Sequence, residues 1–156
     1  MIRHRKAAVI AIIVVVLLLS LFVFSWAGFL YSWSWNGWAG LAISCIFLAM
    51  WLAIPYVASK MKSKAMLGMH YVYWITAICV NAAYFAYFQR EVSPDYILHL
   101  LFFHFSTPLY GFANWLPHYT MDLPMFTIVP LCMFMYGLFM TWKFFKKELK
   151  NEGLGE

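Results

Sequence analysis

Positive charge in this chain is confined to short patches, and nearly everything between them is apolar. Ten of the eleven Lys and Arg residues fall within positions 3–6, 60–64 and 143–150. A helix needs about 20 apolar residues to cross the roughly 30 Å hydrocarbon core of a bilayer. Four runs meet that requirement, at about 7–30, 38–59, 65–88 and 123–142. Basic residues concentrate in short cytoplasmic loops. The spacing of the patches therefore predicts an orientation as well as a fold class.

Composition agrees with a lipid solvent. Apolar residues make up 65% of the 156 positions and charged residues only 11%, against about 25% charged in a soluble domain. A chain this short has too little interior to hide so much apolar surface from water. The formal charge of +5 reads as attraction to anionic lipid at the inner face, with no nucleic-acid partner. The expected location is the cell membrane, with several passes. Residues 3–6 followed by an apolar run look superficially like a signal peptide, with a loose cleavage pattern at Ser25, Trp26 and Ala27. That run is longer than the usual core of about 7–15 residues, so it is read as the first span.

A fifth stretch, 96–121, is long enough to cross but is interrupted by Pro108, Gly111, Asn114 and Pro117. Charge decides how it is read. With the N-terminus inside, the first three spans leave Lys60, Lys62 and Lys64 in the cytoplasm and Arg90, Glu91 and Asp95 outside. A crossing by 96–121 would send the 143–150 cluster outside. The expectation is therefore an all-α integral membrane protein with four transmembrane helices and both termini cytoplasmic. A re-entrant or interfacial helix lies at the outer face between the third and fourth spans. Five spans are the alternative. Trp26, Trp33, Trp35, Trp38 and Trp115 then form an outer aromatic belt, the depth that an amphipathic ring prefers. Asn36-Gly37 supplies a tight reversal between the first two helices.

Packing between helices in lipid relies on small residues that let backbones approach. The second span offers Ala42, Ala49 and Ala53 on one face, and Gly40 and Ser44 as a small-xxx-small pair. The first span is nearly pure Ile, Val, Leu and Phe and is expected at the bundle edge. Pro55 and Pro130 each remove a backbone hydrogen bond and are expected to bend their helices. Cys45, Cys79 and Cys132 are isolated in apolar runs and read as buried packing residues.

Polar groups at membrane depth are the functional candidates. His70 and Asn81 are eleven residues apart, hence about 20° apart around a helix and about 16 Å along it. Ala77 shares that stripe, which should face inward because lipid penalises both polar side chains. Their candidate role is ligand contact; the plainer reading is interhelical hydrogen bonding. Around the outer stretch come Arg90, His99, His104, His118 and Asp122. His118 and Asp122 have i, i+4 spacing, and a His oriented by an Asp can act as a general base, while Arg90 can hold an anionic headgroup. His99 and His104 would point about 140° apart on one helix, poor geometry for a metal pair, and no metal site is assigned. Whether the chain carries a cofactor is not legible.

The chain has no paired cysteines of the small quinone-linked disulfide-generating enzymes and no intramembrane aspartate pair of the lipoprotein signal peptidases. It also lacks H-E-x-x-H, G-x-S-x-G and P-loop patterns. The leading expectation is a non-catalytic subunit or accessory protein, working beside a membrane-protein partner or as a homo-oligomer. The alternatives are an outer-leaflet enzyme acting on a lipid, lipoprotein or quinone through His99, His104, His118 and Asp122, and a small oligomeric transporter or channel.

Overall fold

The computed structural model describes residues 2–27, 37–90, 96–113 and 122–151. Among them there is no strand. The elements are α1 (Ile2–Leu18) continuing through a π-helical stretch (Leu19–Phe24), α2 (Gly37–Lys60), α3 (Lys64–Gln89), α4 (Tyr96–Ser106), a 3-10 turn (Thr107–Leu109), α5 (Tyr110–Ala113) and α6 (Asp122–Asn151). Four helices are long and apolar enough to cross a membrane: Lys6–Ala27, Trp38–Lys60, Lys64–Tyr87 and Phe126–Phe144. The stretch between the third and fourth of these contributes the shorter apolar helix Tyr96–Leu109.

Neighbouring long helices pack antiparallel. Phe47 meets Trp74 at 6.1 Å between ring centroids and Trp51 meets His70 at 5.8 Å, which sets the register of α2 on α3. His70 and Asn81 bond to Met133 and Phe126 respectively, which sets α6 on α3. Phe24 packs on Phe47 and Ser20 accepts from the Trp51 indole, which sets the far end of α1 on α2. The core is an aromatic column: Trp51 stacks on Tyr73 at 4.1 Å, and Phe105 of α4 closes it at 5.0 Å from Tyr73. Of the four spans α1 buries the least of its surface, as expected of an edge helix.

The α2–α3 reversal is built from two caps on adjacent residues. The Ser63 N–H bonds to the Ala58 carbonyl at 2.9 Å and the Lys62 N–H to the Ser59 carbonyl at 3.3 Å. Those bonds end α2 in a Schellman motif, whose αL residue is usually Gly. Here Lys62 holds that position at φ 49°. Ser63 then starts α3, its hydroxyl accepting from the Met66 N–H at 3.3 Å.

Two sequence expectations are corrected. Ala42, Ala49 and Ala53 face outward, whereas the packed face of α2 carries Gly40, Ser44, Phe47, Trp51, Ile54 and Ala58. The aromatic side chains of that second face fill the interior, and alanines are too small to compete for it. Cys45, Cys79 and Cys132 are likewise exposed on the outside of the bundle; a small apolar thiol is compatible with lipid and need not be buried. Helices α2 and α6 continue through Pro55 and Pro130, both buried.

Candidate functional site

Among the described residues, a dense set of polar contacts lies where the broken segment 96–113 meets the bundle. The register of α2 on α3 puts Gly40 level with Asn81. Ser106, the last residue of α4, donates to Asn81 Oδ1 at 2.7 Å. Five residues later Gly111 lies against the backbone of Gly40 and the hydroxyl of Ser44. Between Ser106 and Gly111 the chain thus runs across the bundle, from α3 to α2, instead of along it. Thr107, Pro108 and Leu109 make this passage and all are buried. Glycine at 111 is a steric requirement, because a Cβ there would overlap the Gly40 carbonyl.

Prolines explain where the hydrogen bonds go. A proline inside a helix leaves the carbonyl four residues earlier without its N–H donor. In lipid that carbonyl must be satisfied from elsewhere in the protein. Pro130 frees the Phe126 carbonyl, and the Asn81 amide of α3 donates to it. Pro108 stands four residues after His104, whose carbonyl lies 2.9 Å from the Ser25 hydroxyl of α1. The Ser25 hydroxyl also lies 3.1 Å from the Ser20 carbonyl; its single proton serves one acceptor at a time. In an α-helix Ser20 and Ser25 would diverge by about 140°. The wider π turn of Leu19–Phe24 instead lets the two bond to each other.

His70 ties α3 to α6 as well, at a carbonyl that no proline frees. Its Nε2 lies 3.0 Å from the Met133 carbonyl, so the ring donates from Nε2. The neutral ring then offers Nδ1 only as an acceptor, and Nδ1 is buried without a partner among the described residues. Gly137 leaves room for the ring: a Cβ there would come within 2.7 Å of His70 Cδ2. Tyr71 and Thr141 join the same two helices through their hydroxyls.

The stripe of His70, Ala77 and Asn81 faces inward, each residue 0% exposed. The other candidates with described side chains are His99, His104 and Arg90. His99 is exposed and its Nδ1 stands 3.4 Å from the Tyr84 hydroxyl on α3. His104 is half-buried, with its backbone toward α1. Arg90 is exposed, in the turn after α3. Asp122 opens α6; its side chain, like His118, Trp33, Trp35 and Trp115, lies outside the described residues. No group of three His, Cys, Asp or Glu residues able to hold a metal occurs among the described residues.

Sequence reasoning missed Ser20, Ser106 and Gly137, and it named Ser25 only within a cleavage pattern and Gly111 only as an interruption. The signal available for Ser25 was its place in an apolar run. For Asn81 it was the presence of prolines in other helices that need a donor. No protein-family model, curated protein or solved structure matches this chain.

Proposed function

We propose that the chain is a multi-pass cell-membrane protein with both termini cytoplasmic and residues 96–121 re-entrant from the outer face. On this reading it serves as a non-catalytic subunit or accessory protein, docking to another membrane protein or to its own copies. The interior supports that role. His70, Asn81, Ser25 and Ser106 are committed to tying helices together, which is architecture and needs no substrate.

The observation that carries the docking reading is the outward face of α2. Ala42, Cys45, Ala49 and Ala53 recur there at helical spacing, all exposed. A face built only for lipid gains nothing from small side chains, whereas a partner helix can approach such a face closely. Native mass measurement in mild detergent tests this, together with bismaleimide crosslinking in membranes through Cys45, with Cys79 and Cys132 replaced by serine. A heavier complex and a Cys45 adduct to a partner or a second copy are expected. A bare monomer that also fails to crosslink overturns the proposal.

A further inference from the structure

At the basic end of the bundle a cavity of about 460 Å3 opens between α1 and the α2–α3 reversal. Lys6, Lys62 and Lys64 supply its charged wall, and Val9, Ile10 and Met61 its apolar wall. No acidic residue lines it, and none occurs anywhere in the first 90 positions of the chain. The other lysines with described side chains are placed differently. Lys60 lies 5.6 Å over the Tyr56 ring, Lys143 4.5 Å over Phe139 and Lys146 5.1 Å over Trp142.

We propose that this cavity binds the phosphate-bearing headgroup of an acidic phospholipid, held by Lys6, Lys62 and Lys64, with an acyl chain leaving past Val9 and Ile10. The three lysines that line the cavity carry like charge, and an anion among them offsets their mutual repulsion. The N-terminus of α3 adds partial positive charge, since Ser63 to Ala65 border the same space. Lys62, in the left-handed region at φ 49°, lies on the wall of the same cavity.

The apolar wall selects a lipid over a free anion. Ile10 is 62% exposed and Val14, one turn further along α1, is 48% exposed. The cavity therefore opens onto the face that meets acyl chains. A headgroup alone would leave that wall unused. Basic pockets beside transmembrane helices are well suited to such headgroups. The inference rests on the helices lying in a bilayer. It does not depend on the docking role of α2.

Native mass spectrometry of the full chain, released from mixed micelles, tests it. Phosphatidylglycerol, phosphatidylcholine and inorganic phosphate are titrated separately. Retention of phosphatidylglycerol over phosphatidylcholine is expected. The triple variant Lys6→Gln/Lys62→Gln/Lys64→Gln should weaken that retention more than about tenfold, given the attraction each basic residue contributes. The charge-matched control Lys60→Gln/Lys143→Gln/Lys146→Gln should stay within about twofold of the native chain. Thermal unfolding in detergent confirms that both variants fold; if the triple variant does not, the single variant Lys62→Gly, which relaxes the turn, takes its place with an expected loss of several-fold. Equal losses in the two triple variants would reduce the effect to diffuse charge and overturn the site. Displacement of the lipid by inorganic phosphate at comparable concentration would overturn the lipid assignment. A monomeric chain that still retains phosphatidylglycerol refutes the docking role and leaves this site standing.

Discussion

Replacing Asn81 with leucine keeps nearly the same side-chain volume and removes two hydrogen bonds at once. The Ser106 hydroxyl loses its acceptor, but it can rotate toward another carbonyl of its own helix, so its loss is small. The Phe126 carbonyl has no such recourse, because residue 130 is proline and offers no N–H. A buried group left wholly unpaired costs about 1–3 kcal/mol, whereas measured interhelical hydrogen bonds in membranes average only about 0.6 kcal/mol. The carbonyl here belongs to the first category, so we expect Asn81→Leu to destabilise the bundle by about 2 kcal/mol. The decisive comparison is the same substitution in a Pro130→Ala background. Alanine restores the missing N–H, the Phe126 carbonyl regains a partner within α6, and the cost of Asn81→Leu should fall by about 1 kcal/mol. Equilibrium unfolding in mixed micelles, followed by tryptophan fluorescence, measures both costs. Independent sites add to within about 0.3–0.5 kcal/mol. If the cost of Asn81→Leu is the same in both backgrounds within that margin, the compensation between Asn81 and Pro130 is refuted.

The same unfolding assay checks three further expectations. Gly111→Ala forces its Cβ into the Gly40 carbonyl and should destabilise by about 1–3 kcal/mol, whereas alanine at the outward-facing Gly68, with nothing within 4 Å, should be neutral or stabilising. Gly137→Ala pushes His70 off the Met133 carbonyl and should cost a similar 1–3 kcal/mol or so; combining it with His70→Ala should cost clearly less than the sum of the two. Lys62→Gly removes the left-handed penalty and should stabilise the α2–α3 reversal by about 1 kcal/mol, and a loss of stability would count against the Schellman assignment.

The number of long apolar helices was legible because hydrophobic thickness acts on the chain directly. The inward direction of His70 and Asn81 followed from the cost of polar groups in lipid. What the chain hid was which face of α2 packs. Ala42, Ala49 and Ala53 satisfy the small-residue rule as well as Gly40 and Ser44 do, and only the bulk of Phe47 and Trp51 decides between them. The partners of Asn81 and Ser25 were hidden for another reason: a carbonyl freed by proline is a backbone group, and its donor can come from any neighbouring helix. Likewise, the approach of Gly111 to Gly40 depends on how α4 breaks at Thr107–Leu109, which spacing alone does not specify.

The tie between Asn81 and Phe126 has a direction in time. The donor in α3 is synthesised 45 residues before its acceptor, and Ser25 precedes His104 by 79. As α4 and α6 leave the ribosome, the hydroxyl or amide that bonds the carbonyl four residues before Pro108 or Pro130 has already been made. For these two carbonyls N-to-C synthesis imposes no wait for a donor not yet made. A rearranged gene that encoded α6 first would impose that wait, and biogenesis, more than final stability, is where the rearrangement would be felt.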